Sequence, residues 1–407
     1  MAVSAGASWS NLQDPFEAGQ EAATLALHRM GEDSCNLALV FTGPQFSSPE
    51  LLEGIRAVVG STMLLGCTDA GNLSMDGPAH ASVAVMLIKC DGLEVRPGAG
   101  DKLAENPEAA GAAMARQALD GRLGFGSGPG SLLLAFAEGA RGNLSAVLRG
   151  AQSVVGENFP IVGGAAGDEG RFVETTQYCL SYMLKDSVVG LLLGGPIRFG
   201  VGTRHGWGAI SRPRVVTKAK GDTIWEIDGK PALGFYRDYL GDAADELDNS
   251  NLARATCVYP VGFAVEGEDE PLVRFPLRVT PEGHLVFGGD VEQGTEVRLM
   301  LGTKDSIVES ARAAAQEAVN ALQGAPSRAA MVFSCFSREK VLGRDARREM
   351  QAIREVFGEN VPVIGYYSHG ELSPWRASIQ PSNGGAPQVA PSRYRTDSVV
   401  VLAVGDG

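Results

Sequence analysis

Acidic and basic side chains of this sequence gather where apolar runs end in glycine-rich turns. Asp69 lies in MLLGCTDAGNL (63–73), Asp168 and Glu169 in PIVGGAAGDEG (160–170), and His369 and Glu371 in PVIGYYSHGEL (362–372). Adjacent carboxylates such as Asp168 and Glu169 are a pair that general acid–base chemistry uses, although two acids in one loop also serve as caps. Carboxylates at Asp69, Asp168 and Glu371 suit an ammonium group. Arg338, just past the apolar run that ends in Cys335, suits a carboxylate gripped by two guanidinium N–H groups. His369, beside Glu371, Tyr366 and Tyr367, and His205, in TRHGWGAI beside Trp207, are imidazoles placed for donation or ligation. His28, His80 and His284 lack such company and are expected at the surface. Cys335 has a cation nearby in Arg338, which lowers a thiol pKa. No histidine with an orienting group is recognisable by motif, however, and GxSxG is absent. A buried thiol at a strand end is therefore the expectation. The set fits a small zwitterion better than a reaction.

These residues recur because the elements that carry them recur. Aligned on Gly66, Gly163 and Gly365, the three turns place Gly71, Asp168 and Gly370 in one column and Asn72, Glu169 and Glu371 in the next. Ahead of each turn lies an apolar strand, NLALVFTG (36–43), SLLLAFAEG (131–139) or AAMVFSC (329–335), and then a helix-like stretch. After each comes another strand, HASVAVMLIKC (80–90), DSVVGLLLGG (186–195) or DSVVVLAVGD (397–406). The unit is strand, helix, strand, turn, strand. Strands of unbroken Val, Leu and Ile are covered on both faces, and strand–helix–strand makes a parallel pair. An α/β fold is expected, with mixed sheets covered by helices. Ligand sites in such sheets gather beyond the carboxyl ends of strands, so the turns, with Gly71 and Gly163 allowing close approach, are expected to converge on one pocket.

Elsewhere, GFGSGPG (124–130) precedes a strand and reads as a connector, since a phosphate loop follows a strand and opens a helix. Residues 241–300 read as a β-rich insertion between the second and third units, and 377–396 as an aperiodic surface loop. The net charge of −13 argues against nucleic acid and anionic membranes. Six cysteines with no CxxC pair argue against zinc and redox dithiols. The first residues lack a signal-peptide pattern, and no apolar run nears the roughly 20 residues of a membrane helix. A cytoplasmic protein without a metal site is expected.

Through GCTDAG (66–71), VGGAAGDEGRF (162–172), RHGWGAI (204–210) and VVTKAKGDTIWEIDGKPAL (215–233), the chain resembles the FIST N domain. Through ALGFYRDYLG (232–241), VFSCFSREKVLG (332–343) and PVIGYYSHGELSP (362–374), it resembles FIST C. The first turn departs from the family's Gly-Glu, with Asn72 in the Glu place. The resemblance implies a FIST N domain over 34–232, a FIST C domain over 233–386, and a strand in 387–407 completing the last unit. It also implies a sensory, non-catalytic protein that binds a small ligand, an amino acid or similar metabolite, without a cofactor. About 33 residues precede the first strand of this reading, too few for an attached kinase, so output would pass to a separate signalling partner. Two alternatives follow from relatives: a haem-based nitric-oxide sensor using His205 or His369, and a protein-binding scaffold like the F-box-associated members. The ligand residues expected from the reading of the turns and their neighbours are Asp69, Gly71, Gly163, Asp168, His205, Arg338, Tyr366, His369 and Glu371.

Overall fold

In a computed structural model, described for residues 2–119, 131–266, 270–374 and 390–407, each apolar run is a strand and each repeat has one topology. In the first unit Leu37–Thr42 leads, helix Pro49–Val59 crosses over, and Met63–Thr68 returns parallel to the lead strand. Val83–Lys89 then lies antiparallel on the lead strand's other side. The same arrangement joins Leu132–Ala137, Ile161–Ala165 and Val188–Gly194 in the second unit. It joins Ser327–Cys335, Val363–Ser368 and Val399–Asp406 in the third.

The units are larger than their sequence signal. An edge strand opens each one: Ser4–Ser10, Glu94–Gly100 and Ile197–Arg204, paired with the three return strands. The residues before position 34 thus contain a strand and the helix Pro15–Met30. These edge strands (SAGASWS, EVRPGAG, IRFGVGTR) are rich in small and charged residues, so apolar continuity does not mark them.

The units also exchange elements. The hairpin that follows each second strand pairs with a neighbour's second strand. Asn72–Ser74 joins the third unit's sheet, Gln177–Cys179 the first's and Glu371–Pro374 the second's. Three six-stranded sheets result, linked cyclically. Their inner faces share one apolar core, and among the described residues six helices cover their outer faces. At its centre Phe41, Phe136 and Phe333, one from each lead strand, pack with ring centroids 5.4–6.3 Å apart, at edge-to-face angles that aromatic quadrupoles favour.

The glycines used for alignment are required by sterics. A Cβ at Gly66, Gly163 or Gly365 would stand 1.8, 2.0 or 1.9 Å from the carbonyl oxygen of Val40, Ala135 or Val332 on the adjacent lead strand. No side chain fits there.

The β-rich insertion differs from expectation in place and extent. It runs from Trp207 to Gly302, a nine-stranded sheet among the described residues with its own core. It sits inside the third unit, between edge strand Ile197–Arg204 and helix Lys304–Ala321. The GFGSGPG segment and residues 377–389 lie outside the described residues. Ser392–Arg395, expected to be aperiodic, is the second strand of the third hairpin.

Candidate functional site

The three turns meet. The amide of Ala70 donates to the carbonyl of Tyr367 (2.9 Å), Gly167 to Thr68 (2.8 Å) and His369 to Ala165 (3.3 Å), a closed ring of backbone hydrogen bonds across the units. The register of the hairpins corrects the glycine alignment. Asn72 lies opposite Tyr366, Gln177 opposite Cys67 and Glu371 opposite Gly164, so the equivalent trio is Asn72, Gln177 and Glu371. Each accepts from a serine just ahead of its return strand: Ser82 (2.6 Å), Ser187 (2.8 Å) and Ser398 (2.5 Å). Asp168 and Glu169 belong to an inserted loop that shifts the second turn. Asp168 accepts the amides of Arg171, Phe172, Val173 and Glu174 at 2.7–3.3 Å. Its carboxylate is the loop's scaffold.

Buried charge concentrates at the third turn. Glu371 accepts from Ser368 and Ser398, both at 2.5 Å; burial nevertheless pushes its pKa up to about 8, with Asp397 adding repulsion. Burial likewise raises Asp397 to about 7 and the Cys335 thiol well above its ordinary range, helped by both acids. Cys335 packs against Cys257 and Phe275 of the insertion. His369 is 1 % exposed, stacked on Phe172 at 4.0 Å, with Nε2 3.5 Å from Asp168 Oδ1 and neither ring nitrogen hydrogen-bonded. Burial lowers its pKa, against the pull of Asp168. Tyr366 fills the axis beside the phenylalanines.

The first turn holds Asp69, whose carboxylate takes the Gly71 amide (2.9 Å) and the Asn72 side-chain amide; burial raises its pKa. His80, expected to stand alone at the surface, pairs with Glu339 at 2.6 Å and lies against Gly71. Nothing in its flanking sequence names a partner so remote.

Arg338 is turned into the core. It is fully buried, with Nε and Nη2 2.8 and 2.7 Å from Glu349 Oε1. Its remaining bonds reach the carbonyls of His205 (2.6 Å) and Ile307 (2.8 Å) and the Ser310 hydroxyl (3.2 Å). Glu349 comes from a helix whose sequence gives no hint of this pairing.

His205 stands apart from the turns. It lines a cleft of about 580 Å3 between insertion and core, with Arg204, Trp207, Glu270, Glu296 and Arg298, a volume in the range of small-molecule sites. The Trp207 amide donates to His205 Nδ1 (2.9 Å), so Nε2 carries the proton. Nε2 has no hydrogen-bond partner and lies 3.9 Å from Glu270. Burial lowers the His205 pKa to about 4, with Glu270 opposing and three arginines assisting. Trp207 Nε1 donates to the Asp397 carbonyl (2.7 Å), tying the cleft wall to the third turn. His369 is enclosed by Phe172 and Phe336, and the His205 cleft carries four charged side chains besides the histidine. Among the described residues no group of three or more His, Cys, Asp or Glu is placed to hold a metal, and no helix is long and apolar enough to cross a membrane.

A sheet-built, helix-covered core with a β-rich insertion defines a mixed α/β protein. The chain belongs to the FIST family: the FIST N domain matches residues 36–230 and the FIST C domain residues 232–374. FIST domains are sensory, small-ligand-binding domains of signal transduction. An uncharacterized protein of Methanocaldococcus jannaschii is 29 % identical over 235 residues, 52 % of this chain and 45 % of its own length. One of Mycobacterium tuberculosis is 28 % identical over 217 residues, 53 % of this chain and 56 % of its own. The chain thus spans about half the length of the curated relatives it matches. A cyanuric acid hydrolase from A. caulinodans aligns over the whole of both chains at 9 % identity and a TM-score of 0.36, a likeness too slight to bear on fold or function.

Proposed function

We propose that this protein binds a small polar metabolite, an amino acid or a similar zwitterion, in the cleft between insertion and core, and signals through a separate partner. The observation that carries the reading is His205. A neutral imidazole, 13 % exposed, lines a cleft of small-molecule size with its Nε2–H unmatched. A buried donor without an acceptor is costly, and a ligand carboxylate would satisfy it. Glu270 and Glu296 pair with Arg204 (2.6 Å) and Arg298 (2.9 Å); a zwitterion would exchange with these exposed pairs, its ammonium meeting the acids and its carboxylate the histidine and arginines. Through the Trp207–Asp397 bond, a ligand pressing on the cleft wall would shift the turn cluster, which is the sensory step.

The turn residues Asp69, Asp168, Tyr366, His369 and Glu371 act in this reading as the buried relay that the cleft reports to. Binding rather than catalysis is favoured by the committed hydrogen bonds of Asp168 and Arg338 and by the upward push on the Cys335 thiol, which keeps it protonated. Thermal denaturation against amino acids and small polar metabolites tests the proposal. A stabilising ligand, lost in His205→Ala, is the expected result. Absence of any shift at several millimolar ligand overturns it.

A further inference from the structure

The insertion forms a second cleft, of about 590 Å3, against the second unit, and Arg274 is in its wall together with Ser145, Arg149, Asp290, Arg393 and Tyr394. Arg274 is 4 % exposed. Its guanidinium donates only to neutral groups: the Asp290 carbonyl (2.6 Å), the Tyr394 carbonyl (3.0 Å) and the Ser145 hydroxyl (3.4 Å). Its Nε–H has no partner. The nearby carboxylate of Asp290 is turned to Asn143 and Arg149, while Glu266 and Glu292 are exposed at the rim. The Tyr394 ring covers one side of the guanidinium at 5.5 Å. Gly289 approaches it so closely that a Cβ there would come 3.0 Å from Cζ and 2.5 Å from Ser145 Oγ.

A buried charge without a counter-charge is costly, and proteins pair such groups. This one does so at Arg338, which it gives Glu349. No acid is within ion-pair distance of Arg274 among the described residues. Burial accordingly draws its pKa down to about 10, with Arg393 adding repulsion. The missing counter-charge and the adjoining cleft have one explanation. We propose that this cleft is a second ligand site, separate from that of His205, for a small metabolite whose carboxylate or phosphate pairs with Arg274. With the guanidinium held between a ring and a glycine, its unmatched Nε–H is the donor left for such a group.

Thermal denaturation of the full chain at fixed ionic strength, with succinate, inorganic phosphate or chloride, tests this. Succinate or phosphate is expected to raise Tm saturably while chloride does not, and the tighter of the two names the oxyanion. Arg274→Met and Gly289→Ala are expected to weaken the response at least tenfold, and His205→Ala to leave it unchanged. Should Arg274→Met fail to fold, Gly289→Ala decides. No saturable shift, a shift that Gly289→Ala retains, or a shift that His205→Ala equally abolishes would overturn the proposal.

Discussion

Among the three equivalent side chains Asn72, Gln177 and Glu371, only the last can carry a charge, and it is fully buried. Its pKa of about 8 exceeds the ordinary 4.5, so the folded state holds a proton that the unfolded chain releases. The stability this contributes is complete below about pH 4.5 and is lost as pH rises through about 8. Asp397, raised from 3.8 to about 7, acts with the same sign. His205, lowered from 6.5 to about 4, acts oppositely, and its contribution is lost as pH falls below 6.5. Urea denaturation from about pH 6.5 to 8.5 should therefore show falling stability. Glu371→Gln, which copies the group present at Gln177, should flatten that fall; an unchanged slope would show that Glu371 is not the titrating group. At Arg338 the account predicts a structural role. Glu349→Leu leaves a buried guanidinium unpaired and should cost about 3–5 kcal/mol, read from the urea midpoint.

The second strands depend on close approach. Gly365→Ala would force a methyl into the Val332 carbonyl, an overpacking that should cost at least the ~1–3 kcal/mol typical of such changes. Phe41→Ala, which empties the axial cluster, should cost about 3–5 kcal/mol. Comparable Tm for Gly365→Ala and wild type would refute the packing argument. These elements were also the legible ones. Unbroken Val, Leu and Ile runs, capped helices and a repeated glycine mark lead, second and return strands in the sequence, because burial on both faces leaves no alternation. The edge strands lack that signature, and the hairpins are three or four residues each, too short for any period. The insertion before Gln177 then put Asp168 and Glu169 in columns that belong to Thr176 and Gln177. A Ser-Val pair opens all three return strands, at Ser82, Ser187 and Ser398; it lies ten residues after Asn72 and after Gln177, which pairs those two, but 27 after Glu371, so the third hairpin is aligned only by the fold.

At the scale of the molecule, each unit's sheet is completed by one neighbour's hairpin, in cyclic order, so no unit closes its sheet alone. Such an exchange is invisible to local pattern, because it depends on which strand a hairpin meets, not on its own residues. The same holds for the site. His205 was visible as a histidine beside glycine and tryptophan, yet its companions Glu270, Glu296 and Arg298 come from an insertion that only the fold brings to it. Arg338, three residues after Cys335 in sequence, is turned inward, where Glu349 meets it in the core. In the proposed function the cleft beside His205 holds a small polar ligand. Native mass spectrometry of protein purified without denaturation, compared with His205→Ala prepared identically, tests it most directly. The wild type is expected to carry a bound mass of a small metabolite that is reduced or absent in the variant. An identical adduct in both proteins, or a bare mass that stays bare after incubation with amino acids and small polar metabolites, would contradict it.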